Sequence, residues 1–239
     1  ETSESAAYVL KELGYGTHAI HNNEANFYGR RTVFARLGFD TFTSEEYMPD
    51  ISDTTEMGWV KDHILTDEIV KAMESTEGPD YVYTISVQGH GDYPEEPVLT
   101  DPVIQVSGAE SQEKNYAWEY YVNQLYEMDQ FVKELTDRLA EYDERVVLVM
   151  YGDHLPTMGL QDSDMLSGDI YKTNYVTWNN CGLEKVDADL YAFQLMAAIT
   201  DQIGIHEGTI LNYHQTQMNS ETYYTGLENL QYDILYGDR

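Results

Sequence analysis

Two side chains that hold metal ions, Asp153 and His154, sit next to each other just beyond a continuous apolar run, Val146-Val147-Leu148-Val149-Met150-Tyr151, with only Gly152 between. An aspartate and a neutral histidine are both good ligands for Mn2+, Zn2+ or a similar ion. The run reads as a strand covered on both faces, as in a parallel α/β sheet, where ligands gather beyond the carboxyl ends of the strands. Successive strand residues point to opposite faces, so both side chains reach one ion only if the regular strand ends near Gly152. The alternative is structural: the carboxylate caps a helix and the histidine is hydrogen-bonded nearby.

The pattern occurs twice more. Tyr81 to Val87 runs into Gln88-Gly89-His90, and Thr17 to Ile20 runs into His21-Asn22-Asn23. Three strand ends of this kind predict one shared site at the carboxyl edge of a sheet. The elements that must place them alternate. Glu1 to Leu13 reads as an amphipathic helix stopped near Gly14, and Phe27 to Leu37 as a helix ending at Gly38. Asp62 to Ser75 reads as a helix closed by Gly78-Pro79, and Asp189 to Ile203 as another ending at Gly204. Between Asn115 and Tyr142, residues Tyr121, Leu125, Met128, Val132, Leu135, Leu139 and Tyr142 recur at spacings of four and three, a packing stripe with Asp129 at its edge. Tyr175 to Trp178 reads as a strand, and Tyr223 to Arg239 as an aromatic tail docked on the domain edge. Helices alternating with strands predict an α/β fold with a largely parallel sheet flanked by helices.

The 239 residues suffice for one large α/β domain. A formal net charge of -30, from 13 basic and 43 acidic residues, argues against binding to nucleic acid or an anionic membrane surface. The 21 tyrosines indicate a folded chain, because a disordered polyanion lacks such aromatic content. Cys181 is the lone cysteine, so there is no intrachain disulfide framework and no thiolate zinc cluster. No apolar run reaches the roughly 18 residues of a membrane span, so the chain reads as soluble.

Other signatures fail on context. Gly14-Tyr15-Gly16-Thr17-His18-Ala19 spells a dinucleotide fingerprint, but it follows a helix where a strand is required. There is no GxSxG elbow, HExxH or Walker loop. His18 and His21 lie three apart, which makes one of them a core residue. His63, His206 and His214 read as surface or helix-end residues.

Taken in order, HNNEANFYGR, MGWVKD, SVQGHGDYP, YVNQLYEMDQ, VVLVMYGDH and a strand ending Trp178-Asn179 resemble the lipoteichoic-acid-synthase-like branch of the alkaline phosphatase and sulfatase superfamily. The resemblance covers nearly the whole chain. It implies an extracellular, membrane-tethered domain that uses a divalent metal, usually manganese with magnesium or zinc as alternatives, and a threonine nucleophile. Such a domain transfers phosphoglycerol from a lipid or cleaves related phosphodiesters.

Position by position, the resemblance makes Asp153 and His154 metal ligands and His90 the histidine beside the transferred phosphate. His21, Asn23 and Arg30 become polar contacts to glycerol phosphate, with Phe27 and Tyr28 walling the glycerol. Arg30 suits this role because a guanidinium binds phosphate in a bidentate way, and a helix N-terminus there would favour the anion. The competing reading has this helix merely dock, with Phe27, Val33 and Phe34 as core and Arg30 and Arg31 solvated. Two departures bear on substrate choice: Asn23 stands where a close relative has a carboxylate, and Tyr28 where tryptophan is common. The family's threonine and its acidic ligand belong upstream of Glu1. The chain therefore reads as the carboxyl-terminal two-thirds of a catalytic domain, inactive alone and tethered to the membrane only through that upstream segment. A sulfatase is the runner-up, but Cys181 is followed by Gly182-Leu183-Glu184, not by the C-x-P-x-R pattern of sulfatase nucleophiles. A non-catalytic binding module that keeps the fold is the other alternative.

Overall fold

The computed structural model describes residues 4–237. Its strands are β1 (Gly16–His21), β2 (Thr41–Ser44), β3 (Asp80–Ile85), β4 (Val147–Tyr151) and β5 (Tyr175–Asn179). Its helices are α1 (Ala6–Glu12), α2 (Arg30–Arg36), α3 (Ile64–Met73), α4 (Gln112–Ala140), α5 (Ala192–Gln202), α6 (Thr209–Gln217) and α7 (Tyr223–Tyr236). The first three residues of the expected amino-terminal helix lie outside the described residues.

A three-stranded parallel sheet runs β2-β1-β3, with His21 of β1 opposite Ser44 and Ile85. The β1 strand is central, so Ala19 and Ile20 are fully buried, as expected of an apolar strand covered on both faces. The helices between these strands supply the crossovers that parallel pairing requires. Each stops where the chain must turn, and at Gly38 the reason is doubly clear. Its φ is +93°, and a Cβ there would sit 2.8 Å from the ring of Tyr8, so only glycine fits.

Parallel pairing does not extend to the second half of the chain. Strands β4 and β5 form a separate antiparallel ladder, with Leu148 opposite Trp178. Only a single 3-10 turn, Asp162–Asp164, interrupts the connection between them, so no helix carries the chain back to start a parallel strand. The expected two-sided burial of β4 is corrected with it. Its residues are half-buried and Tyr151 is exposed, because β4 is paired along one edge alone. Strand β3 is likewise half-buried.

One apolar core nevertheless joins both ladders. Ile20, Met48, Leu65, Ile69, Leu135 and Leu139 form it, with Val82 of β3, Leu148 of β4 and Trp178 of β5 packed against them. Asn180 fastens the second ladder to the end of α4: its side-chain amide donates to the carbonyls of Leu139 and Glu144, and its oxygen accepts from the Val146 N–H.

The expected stripe on α4 holds only at its carboxyl end. Leu135 and Leu139 are buried, but Leu125 is 41% exposed, and the buried face nearer the amino end comprises Ala117, Tyr120, Asn123 and Gln124. Asp129 is exposed, a solvated carboxylate. Two elements were not legible. β2 is a four-residue edge strand within a polar connection, and α6 has little apolar patterning. The aromatic tail docks less than expected. Tyr223 is buried, while Tyr232, Leu235 and Tyr236 on α7 are exposed.

Candidate active site

The turn anticipated at Gly152 is present. Strand β4 ends at Tyr151, and beyond it the backbone leaves the strand so that His154 Nε2 and Asp153 Oδ1 lie 3.8 Å apart. Two ligands on one ion, each about 2.0–2.2 Å from it, span at most about 4.4 Å, so the pair fits a shared divalent cation. The orientation of His154 suits ligation as well. Its Nδ1–H donates to the Leu155 carbonyl at 2.9 Å, which leaves the Nε2 lone pair free. Both side chains are exposed. Among the described residues no cluster of three or more His, Cys, Asp or Glu side chains could hold a metal.

His90 comes to this pair from the other ladder. Its ring centroid is 6.1 Å from that of His154 and 5.1 Å from Trp59. It lies in a tight turn beyond β3, where its N–H donates to the Val87 carbonyl at 2.9 Å. The Nδ1–H of His90 donates to the Gly91 carbonyl at 2.7 Å. His21, at the end of β1, donates its Nδ1–H to the Ile85 carbonyl at 2.8 Å. Because a carbonyl can only accept, His21, His90 and His154 all carry the Nδ1 proton and present a bare Nε2 when neutral. At the site edge Tyr83 of β3 meets Tyr151 of β4, hydroxyl to hydroxyl at 3.4 Å.

The segment expected to begin a helix at Phe27 is instead a 3-10 turn, Phe27–Gly29, kinked at Tyr28, where φ is +55°. Such a value is uncommon for a residue with a Cβ. Helix α2 starts at Arg30, after Gly29 in the left-handed region. Its seven residues are too few for a useful dipole, so the start of α2 offers no helix-terminus site for an anion, contrary to expectation. The docking alternative also changes, because Phe27 and Val33 are exposed and only Phe34 is core. Tyr28 is 85% exposed, its ring edge-on to Phe27 with centroids 4.4 Å apart. The Arg30 guanidinium lies over the Phe27 ring at 5.0 Å and donates to the Glu24 carbonyl at 3.1 Å. Half-buried Asn23 accepts from the Glu24 N–H at 2.7 Å. This strained, exposed turn sets aromatic and cationic groups near His21.

The four further histidines are settled by their surroundings. His18 is core, held between Thr41 and Asp80. His214 is a helix-end residue, in the last turn of α6, but is buried against the Tyr223 hydroxyl, whereas His63 and His206 are exposed. Cys181 follows β5 at the end of the ladder opposite Asp153, so it stands away from the site. Trp59 is a wall residue that patterning did not reveal; its only signal was its place in the MGWVKD landmark.

A model of the sulfatase family matches residues 1–205. The chain belongs to the sulfatase family. A Rhizobium meliloti protein named for cyclic β-1,2-glucan modification is 32% identical to this sulfatase-family chain over 154 residues, covering 64% of this chain and 24% of that protein. Lipoteichoic acid synthase 2 of Bacillus subtilis is 24% identical over 191 residues, covering 80% of this chain and 29% of the synthase. The fold resembles that of the Streptococcus pyogenes phosphoglycerol transferase GacH, solved with sn-glycerol-1-phosphate. The TM-score is 0.75 at 19% identity, over 92% of this chain and 61% of that one. The chain thus spans about a quarter of the length of these curated relatives.

Burial, opposed by the Ile85 hydrogen bond, pulls His21 from its ordinary 6.5 down to about 4, with Arg30 and His90 adding repulsion. His21 is therefore neutral at pH 7. Between pH 6.5 and 4 the unfolded chain takes up a proton that folded His21 refuses, so stability falls as pH falls through that window. Comparing urea unfolding of wild type and His21→Asn isolates this contribution. The difference between the two should shrink by roughly 2–3 kcal/mol between pH 7 and 4.5; a constant difference would show that His21 protonates freely.

Proposed function

We propose that this chain is the larger part of a catalytic domain for phosphoglycerol transfer or phosphodiester cleavage, acting on glycerol-phosphate lipids or polymers at the outer face of the cell membrane. The observation that carries the proposal is the meeting of His90 with His154 across two separate ladders, near His21 at the end of β1 and Arg30 after the Phe27–Gly29 turn. The likeness to GacH, which was solved with sn-glycerol-1-phosphate, supports the same substrate class. Among the described residues no helix is long and apolar enough to cross a membrane. In this reading the threonine nucleophile and the remaining acidic ligand are supplied by residues other than those named here.

Asp153 and His154 would hold the divalent ion, Mn2+ in first place and Mg2+ or Zn2+ as alternatives. The ion would supply charge neutralisation at phosphate and a lowered pKa for the attacking hydroxyl. Arg30 offers paired N–H donors to phosphate oxygens while keeping its place over Phe27. His90 gives a donor to a phosphate oxygen when its Nε2 carries a proton. His21, neutral at pH 7, accepts a hydrogen bond from a glycerol hydroxyl through its bare Nε2. Asn23 offers a second polar contact, and Phe27 and Tyr28 shield the glycerol carbons from water.

Titration with sn-glycerol-1-phosphate in the presence of Mn2+ tests these roles. Arg30→Ala and His90→Ala should each weaken binding about 10- to 100-fold, the equivalent of about 1.5–3 kcal/mol for a charge-assisted hydrogen bond, with Mn2+ affinity nearly unchanged. If both variants bind within about twofold of wild type, those residues are structural and the phosphate pocket is misplaced.

A further inference from the structure

Behind the candidate site lies a carboxylate that none of these roles uses. Asp62 just precedes α3 and is fully buried, as is Asn22, the neighbour of His21. A single oxygen of Asp62, Oδ1, accepts three hydrogen bonds: from the Asn22 side-chain amide at 2.8 Å, the Val87 N–H at 3.1 Å and the Gln88 N–H at 3.3 Å. The Asp62 N–H in turn donates to the Gln88 side-chain oxygen at 2.8 Å. The Gln88 amide group continues to Gln124 at 2.9 Å and to Glu127 on α4. Lys61 donates to the same Glu127 at 3.1 Å.

Such an arrangement is costly. A carboxylate removed from water strongly disfavours its charge, and burial raises the Asp62 pKa accordingly. Its second oxygen and the Asn22 side-chain oxygen find no partner among the described residues. Buried, incompletely satisfied polar groups call for a reason. The connectivity supplies one. Asn22 fixes the loop beyond β1 that carries His21 and Asn23. Val87, whose N–H is held by Asp62, uses its carbonyl to accept the His90 N–H. One carboxylate oxygen therefore sets the spacing between two strand-end loops, and packing of apolar side chains has no equivalent directional hold on them.

We propose that Asp62 is the positioning residue of the phosphate pocket, locking the His90 turn to the His21–Asn23 loop. The pocket itself rests on the function proposed above, so the test separates the two. Amide hydrogen exchange and sn-glycerol-1-phosphate titration are measured on the 239-residue chain as wild type, Asp62→Ala and Asp62→Asn. Leu65→Val, a mild core truncation one helical turn away, controls for lost stability.

Asp62→Ala should speed exchange at Val87, Gln88 and His90 at least tenfold relative to the α4 amides and weaken ligand binding at least tenfold. Asp62→Asn, which keeps an accepting oxygen, should restore most of the exchange protection and, should the alanine variant fail to fold, carries the comparison alone against Leu65→Val. In that case exchange at the three amides must still exceed that of wild type by threefold. Leu65→Val should leave both the relative exchange at the three amides and the affinity unchanged. Exchange within twofold of wild type in Asp62→Ala would overturn the proposal, as would faster exchange with unaltered affinity, which marks a purely structural clamp. If the wild type binds no glycerol phosphate, the functional reading fails, and the exchange data still decide whether Asp62 holds the His90 turn.

Discussion

Asp153→Ala and His154→Ala each weaken divalent-ion binding by roughly a hundredfold or more. Even changes in groups that merely orient a metal ligand cost about 10- to 100-fold, and these two side chains are ligands themselves in the proposed site. Each contributes half of the donors that the described residues offer, with Oδ1 and Nε2 3.8 Å apart. Removing either leaves a single exposed ligand, which competes poorly with water. The chain alone, with two ligands, should bind Mn2+ weakly, and a protein that also carries the preceding segment should bind it far more tightly and lose turnover with either substitution. Electron paramagnetic resonance of free Mn2+ reads the binding directly. Equal Mn2+ binding by both variants and wild type would mean that the ion goes elsewhere.

Leu65→Ala costs about 3–4 kcal/mol of folding stability, measured as a lower urea midpoint with little change in slope. Leu65 is 0% exposed on α3 and packs in the cluster with Ile20, Ile69, Leu135 and Leu139. That cluster joins the parallel sheet to α4 and, through Leu148 and Trp178, to the second ladder, so the cavity left by truncation cannot collapse onto one mobile side chain. A loss below about 1.5 kcal/mol would show that the two ladders are not fastened through this core.

What could be read from the sequence follows from which features are local. Apolar runs ending near His21, His90 and Asp153 announced three strands and their carboxyl ends, because β-branched and aromatic residues in succession favour a strand, although only β1 is buried along its length. The stop at Gly38 was legible because one backbone angle excludes other residues. The pairing of β4 with β5 was not, since an antiparallel return depends on the absence of a helix in a long connection, and Pro156, Gly159 and Gly168 do not reveal that absence. The burial of Asn123 and Gln124 in place of Leu125 on α4 was hidden for another reason. Gln124 accepts from the Gln88 side-chain amide and Asn123 pairs with the Ile104 backbone, polar partners that an apolar-stripe reading cannot detect. Asp153, His154 and His90 stood out as candidates by position and type, but the Nδ1 tautomer that the two histidines share and the contact of Trp59 with His90 required three-dimensional contacts.

The claim that the strand ends of two separate ladders build one metal-and-phosphate site is tested most directly by paramagnetic broadening. Substoichiometric Mn2+ is added to the protein with its histidine rings isotopically labelled, and the seven histidine resonances are followed. The His154 and His90 signals should broaden first and most, His21 should follow, and His206 and His214 should stay sharp; the pattern should vanish in His154→Ala. Broadening centred on His206, or His154 broadening while His90 stays as sharp as His214, would contradict a shared site.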